Sequence, residues 1–218
     1  MGAIARSIAN NITTSGVFTS SAITNSSVTG ITTLANATDG ITLISSQTAS
    51  NSASISFTSG LTSTYKVYKF VFSNITNATD GVSFKFNLST DSGSNYNVTK
   101  TSTMFYVANQ ENDASQQFGY GTGRDLAQST SDAWISSDMD NQSDSCLNGS
   151  FLFFNPSSST YVKHWISVTN CVGDGGTNYS WGNYSAGYGN TTSAINAIQF
   201  KFASGNINSG KIYLYGIK

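Results

Sequence analysis

Apolar and polar residues alternate along most of the chain from residue 41 onward. The clearest run is 82–89, in which Val, Phe, Phe and Leu alternate with Ser, Lys, Asn and Ser. A period of two is typical of a β-strand with one face in a core and the other in water. Similar apolar-rich runs occur at 41–45, 53–59, 64–75, 95–107, 149–155, 160–169, 198–202 and 212–215.

Gly, Asn, Ser and Asp separate these runs, and apart from a short turn near 108–117 no stretch keeps a helical stripe. Many short strands with this punctuation predict an all-β fold, an antiparallel β-sandwich of jelly-roll type spanning 41–218. The last two runs, in INAIQFKFASGNINSGKIYLYGIK, predict a final hairpin whose strands complete a sheet.

The run at 160–169 contains the chain's one histidine. Alternation places Val162, His164, Ile166 and Val168 on one face, and Tyr161, Lys163 and Trp165 on the other. Because His164 is in phase with apolar residues, we interpret it as a core or edge histidine and not as a catalytic base.

Residues 1–40 follow a different pattern, with isolated apolar residues at irregular intervals among Ser, Thr and Asn. Such a segment buries too little apolar surface to offset the entropy of its ordering. We therefore expect an extended N-terminal arm held by partner subunits or by a larger surface, or else laid along its own sandwich. The candidate anchoring residues are Ile12, Val17, Phe18, Ile23, Val28, Ile31 and Leu34.

Two segments are predicted to be long loops, 108–148 and 173–190. The second mixes glycine with four aromatic residues. Flat aromatic rings can stack on sugar rings, which makes this segment a candidate glycan site; exposed aromatic residues are also typical of protein interfaces and of packing. The sequence leaves both interpretations open for Tyr179, Trp181, Tyr184 and Tyr188.

The acidic run SDMDNQSD places Asp138, Asp140 and Asp144 at alternate positions, as at the start of a calcium loop. Ser143 stands where such a loop needs glycine, and no distal glutamate follows, so we expect no metal and no cofactor. With one His, one Glu and no GxSxG motif, the sequence predicts no enzyme. Glycan hydrolysis by Asp138 with Asp140 or Asp144 is the catalytic alternative.

Charge and composition exclude some classes of binding partner. The net charge is −1 and only 10 residues are Lys or Arg, whereas nucleic-acid binding needs clustered cations. No apolar run is long enough for a membrane span, and the N-terminus lacks the apolar core of a signal peptide. We therefore expect synthesis in a cytoplasm, with Cys146 and Cys171 unpaired.

The closing run SGKIYLYGIK, with its Ser-Gly and Leu-Tyr-Gly, resembles the C-terminal strands of tailed-bacteriophage virion proteins. The run ITLISSQTASNSASISFTSGLTSTYKVYKFVF is similar to the first strands of the same domains, which are frequent in marine and cyanobacterial phages. The repetitive ITTSGVFTSSAITNSSVTGIT looks like their virion-anchoring segments.

The resemblance implies a non-enzymatic virion part that is synthesised in a bacterial host. We expect a head decoration protein, a head fibre or a tail fibre that forms a homo-oligomer, plausibly a trimer, and contacts major capsid or tail proteins. The alternative is a tail-fibre adhesin whose carbohydrate-binding module recognises glycans of the host surface.

Overall fold

The computed structural model describes residues 40–173 and 178–218, and within them the chain forms only β-strands and connecting segments. The predicted all-β fold is confirmed, whereas the arm and its seven anchoring candidates lie outside the described residues. The strands are β1 (Ile41–Ser52), β2 (Ile55–Phe57), β3 (Val67–Asn77), β4 (Val82–Ser89), β5 (Lys100–Gln110), β6 (Gln116–Tyr120), β7 (Leu126–Ser129), β8 (Ala133–Met139), β9 (Leu147–Phe154), β10 (Lys163–Gly173), β11 (Tyr179–Gly189), β12 (Ala197–Phe202) and β13 (Ile207–Ile217).

The strands pair antiparallel in the order β1-β13-β3-β9-β10-β8-β4-β12-β2, and a branch from β10 adds β11, β5 and then β6 and β7. Only the pair Gly173–Met139 joins β10 to β8. The sheet therefore divides there into two layers that face each other, which confirms the antiparallel sandwich. The far ends also come close, because the Gln47 side chain of β1 donates to the Ser56 carbonyl of β2.

The core between the layers is built mainly from phenylalanine. The ring of Phe200 in β12 lies within 6.4 Å, centroid to centroid, of six other phenylalanine rings. Most of these pairs are edge-to-face, the geometry that the ring quadrupole favours. The six rings belong to Phe57, Phe70, Phe72, Phe84, Phe86 and Phe151.

The last two strands are present, but the predicted hairpin between them is wrong. β12 pairs with β4 and β2 in one layer, whereas β13 pairs with β1 and β3 in the other. The short link 203–206 crosses between the layers and turns at Gly205, whose φ of 70° suits glycine. The C-terminal strand is central in its layer, because β1 and β3 flank it.

Neither predicted long loop is a loop. The segment 108–148 contains β6, β7 and β8, and 173–190 contains β11. Local periodicity does not reveal these strands, because β6 and β7 have no fully buried position and the buried positions of β8 and β11 include polar residues and glycine. In β8 the buried Ser136 hydroxyl accepts from the Phe84 amide at 2.8 Å. In β11 a side chain at Gly187 would collide with the Trp165 indole.

The faces of β10 also differ from expectation. Lys163, Trp165 and the alternate residues up to Cys171 point inward, whereas His164 is exposed. Because β10 also lies between β9 and β11, the interpretation of His164 as a core or edge histidine is wrong. The buried face of β10 is the one that carries Trp165, whose ring centroid lies 5.0 Å from that of Phe86. The buried Lys163 ammonium donates to the carbonyl of Tyr161 at 2.6 Å, so the inward lysine is hydrogen-bonded.

Candidate functional site

The four aromatic residues proposed for glycan or interface contact all lie in β11, and they do not form one surface. Trp181 points inward and packs against the core, with its ring 5.1 Å from that of Tyr106. Tyr179 is on the same side, whereas Tyr184 and Tyr188 are on the outer side. Strand alternation therefore divides the predicted set, and only its outer half can contribute to an exposed surface.

That outer half belongs to a large exposed apolar surface, which extends over neighbouring strands β10, β11, β5 and β6. Cross-strand pairs put the residues side by side: Val168 opposite Tyr184, Tyr184 opposite Phe105, and Val107 opposite Phe118. We call this surface the apolar face. Its exposed members are Phe105, Val107, Phe118, Tyr120, Ile166, Val168 and Tyr184.

Ring contacts make the apolar face a continuous surface. The rings of Phe105 and Tyr184 stack 4.7 Å apart and are almost parallel. Phe118 lies 6.2 Å from Phe105 and is still 79% exposed. Cross-strand aromatic pairs of this kind stabilise a sheet, yet all three residues remain exposed to solvent.

A groove interrupts the apolar face where a small residue lies among larger ones. Ala186 pairs with Ile166 on one side and Thr103 on the other. The resulting depression has a volume of about 390 Å³, and Phe154, His164 and Tyr188 also line it. A second molecule could therefore insert a side chain here, as the interlocking of well-packed interfaces requires.

The apolar face carries no full charge. By strand register, the outward positions of β9, β10, β11, β5 and β6 include no Asp, Glu, Lys or Arg. Soluble proteins normally place charges on such a solvent face. Contiguous exposed apolar surface of this extent typically marks an interaction site.

A second feature is a cleft between the β6–β7 turn and β8. Its volume is about 310 Å³, and Tyr106, Tyr120, Thr122, Arg124 and Trp134 are among the residues that line it. The turn has the sequence Gly-Thr-Gly-Arg, and Gly123 has a φ of 155°, a conformation that favours glycine. The turn thus brings Arg124 back over β8.

Arg124 is fixed in the cleft by two hydrogen bonds. One guanidinium nitrogen donates to the Ser137 hydroxyl at 2.8 Å and the other to the Asp138 carboxylate at 3.0 Å. Ser137 in turn donates to the buried side chain of Asn183 at 2.7 Å. The guanidinium also lies 5.5 Å from the ring centroid of Trp134, within cation–π range.

The three acidic candidates do not come together as a metal site. Asp138 pairs with Arg124, and Asp140 accepts from the Gln142 backbone and side chain at 2.8 and 2.7 Å. Asp144 is exposed. Across 40–173 and 178–218 no group of three or more His, Cys, Asp or Glu side chains is arranged to hold a metal ion.

The cysteine prediction is confirmed, since Cys146 and Cys171 are both free thiols. Cys171 is fully buried, and burial raises the pKa of its thiol to about 12. Because the thiolate is the reactive form, Cys171 is chemically inert in the folded protein. Cys146 is only partly buried.

Known proteins give no guide to this site: the chain matches no protein-family model, no curated protein and no solved structure. In the described part of the chain there is also no helix long and apolar enough to cross a membrane. Function must therefore be argued from the apolar face and the cleft.

Sequence reasoning missed the residues that matter most in both places. Phe105 lies in a run whose apolar residues were expected to face the core, and Phe118 lies in a segment predicted to be a loop. Neither was therefore expected on an exposed apolar surface. A signal was available for the second: in QQFGY the aromatic residues at 118 and 120 alternate as in a strand. Arg124 belongs to no recognisable motif, because its partners Ser137 and Asp138 are 13 and 14 positions away in sequence.

Proposed function

We propose that this chain is a non-catalytic structural protein of a tailed-phage virion, and that its sandwich associates with a second copy of itself through the apolar face. The observation that carries the self-association is the contiguous uncharged surface that contains Phe105, Phe118, Ile166, Val168 and Tyr184. The virion setting rests on the sequence resemblance of the closing and opening strands.

A second copy suits this surface because the face has no charge to satisfy. An isologous contact joins the same surface of two copies, so a surface with charges of one sign would be repelled by its own copy. The apolar face avoids that repulsion and buries no unpaired ion. A charged partner would gain nothing from it, whereas a second copy offers the same aromatic rings and the same groove.

The extent of the apolar face sets the expected affinity. Four strands, each about 4.8 Å wide and about seven residues long at 3.3 Å per residue, cover on the order of 450 Å². A standard specific interface uses about 800 Å² per partner. We therefore expect association of the isolated protein in roughly the micromolar range, with further contacts strengthening it in a particle.

Sedimentation equilibrium tests the self-association. The wild-type protein is expected to dimerise, whereas the double variant Ile166→Lys/Val168→Lys places four ammonium groups in the contact and stays monomeric. Tyr161→Lys is the matched control, because Tyr161 is 67% exposed but lies in the loop before β10. Equal dimerisation of all three proteins would overturn the role of the apolar face. A mass of three chains would favour the trimer that we expected from the sequence.

The virion role has its own test. A label at the C-terminal Lys218 is expected to appear on purified particles, on the head or on the tail. Deletion of 1–40 should remove the protein from particles and leave the sandwich folded. Truncated protein that still enters particles at the wild-type level would refute anchoring by the arm, including Val17, Phe18 and Ile23.

A further inference from the structure

The cleft around Arg124 borders the apolar face at Tyr120, which pairs with Phe105, whereas Tyr106, Arg124 and Trp134 lie outside that face. Its lining residues come from β5, β6, the β6–β7 turn and β8. Its volume of about 310 Å³ falls at the lower end of the range for small-molecule sites. One to two sugar rings are of this size.

The walls of the cleft combine aromatic rings with fixed polar groups. Tyr106 and Trp134 both lie within 6 Å of the Arg124 guanidinium, measured to the ring centroids. Side-chain exposure is 24% for Arg124 and 44% for Asp138, so a ligand can reach both partners of the ion pair. Because Arg124 is already held by Ser137 and Asp138, little entropy is lost when it binds a ligand.

The charges around the cleft cancel. Lys85 lies 3.8 Å over the Trp134 ring, Lys201 pairs with Asp132 at 2.9 Å, and Tyr120 donates to Asp125 at 2.9 Å. With the Arg124–Asp138 pair included, three cations face three carboxylates. This balance gives no net attraction for phosphate or for an acidic sugar. The charged groups are Lys85, Arg124, Lys201, Asp125, Asp132 and Asp138.

We propose that the cleft binds a neutral saccharide. A pyranose ring has an apolar C–H face and hydroxyl groups around its edge. The C–H face suits the half-exposed ring of Tyr120. The ring of Trp134 is less available, because Lys85 and Arg124 already lie over it. The hydroxyl groups can donate to the Asp138 carboxylate and accept from the Arg124 guanidinium, and such charge-assisted bonds are the stronger kind. This site is distinct from the β11 aromatic residues that the sequence suggested.

Saturation-transfer NMR tests the proposal with a panel of named probes. Glucose, galactose, mannose and N-acetylglucosamine serve as neutral sugars, and sialic acid and inorganic phosphate serve as charged competitors. At least one neutral sugar at millimolar concentration is expected to receive saturation at its C–H protons. The proposal is overturned if none of the four does, or if either charged probe displaces the sugar at equal concentration.

Variants locate the binding site. Arg124→Ala removes a charge-assisted hydrogen bond and should weaken binding by about tenfold. Because Arg124 also supports the β6–β7 turn, Tyr120→Ser is the second variant: Tyr120 is half exposed, so its loss leaves the fold intact. Tyr161→Ser is the control and should bind as the wild type does. Sugar affinity unchanged in both cleft variants would overturn the assignment, whatever the oligomeric state.

Discussion

Replacing the buried Lys100 by Met tests how much a buried charge costs the folded protein. Lys100 is fully buried in β5, and its ammonium donates to the side chain of Asn87 and to the Val98 carbonyl. Burial lowers its pKa from 10.5 to about 8, and the nearby Asp132 carboxylate offsets part of that effect. The protein thus folds with a lysine whose charged form is disfavoured.

The size and the sign of the effect of Lys100 on the free energy of unfolding follow from proton linkage. Below pH 8 both the folded and the unfolded chain hold the proton, and the folded state bears the full cost of the buried charge. From pH 8 to about 10.5 the unfolded chain binds more protons, so the free energy of unfolding rises with pH. A shift of about 2.5 pH units at roughly 1.4 kcal/mol each makes this cost on the order of 3 kcal/mol.

Urea unfolding at a series of pH values measures the effect. Between pH 8 and pH 9, Lys100 is expected to add about 1 kcal/mol to the free energy of unfolding. The Lys100→Met variant should lack this rise, and Lys66→Met, which changes an exposed lysine, should keep it. Above pH 9 the raised pKa of Cys171 lowers stability in all three proteins, so differences from the wild type are compared. Equal pH dependence in wild type and Lys100→Met would refute the reasoning.

Three further predictions concern the core, a turn and the thiols. Phe200→Ala removes the ring at the centre of the aromatic core and should lower the free energy of unfolding by about 3–5 kcal/mol in urea; a loss below about 1 kcal/mol would contradict that central position. Asp91 accepts hydrogen bonds from Ser89 and Asn95, which lower its pKa to about 2. Its contribution is therefore present above pH 4 and lost toward pH 2, and thermal unfolding of Asp91→Asn should lack this acid-dependent step; an unchanged step would refute it. A thiol reagent at neutral pH should label Cys146 and leave Cys171 unmodified until the protein unfolds, as mass spectrometry would show; rapid labelling of both would contradict the buried position of Cys171.

The strands that the sequence predicted well have apolar residues on their buried face. Along 82–89 the apolar positions were expected to face the core, and Phe84, Phe86 and Leu88 are fully buried. Ile198, Phe200 and Phe202 behave in the same way in β12. Periodicity locates the core face of such strands. In β4, however, the polar Ser83, Asn87 and Ser89 are buried too, so its other face is not in water as the sequence predicted.

The sequence-based prediction was wrong for strands that bury polar residues and expose apolar ones. In β10 the inward face contains Lys163, Ser167 and Thr169, whereas Ile166 and Val168 face outward. The Thr169 hydroxyl is buried because it donates to the Ile135 carbonyl at 2.8 Å, a partner 34 positions away. Tertiary hydrogen bonds of this kind leave no trace in local periodicity.

The outward position of apolar residues is also the reason that the apolar face could not be predicted from the sequence. The seven residues of the apolar face come from two runs predicted as strands and two segments predicted as loops, and only the register of β10, β11, β5 and β6 shows that they lie together on the outside. The cleft depends in turn on the β6–β7 turn folding over β8. Arg124 and Asp138 are fourteen positions apart, and no short motif contains both.

Hydroxyl-radical footprinting over a range of protein concentrations tests most directly whether the apolar face is covered by a second copy. Oxidation of Phe118 and Tyr184 should fall as concentration rises through the micromolar range, while that of Tyr161 stays constant. Oxidation of Phe118 and Tyr184 that is independent of concentration would contradict self-association through this face. Equal protection of Tyr161 would mean that the contact lies elsewhere.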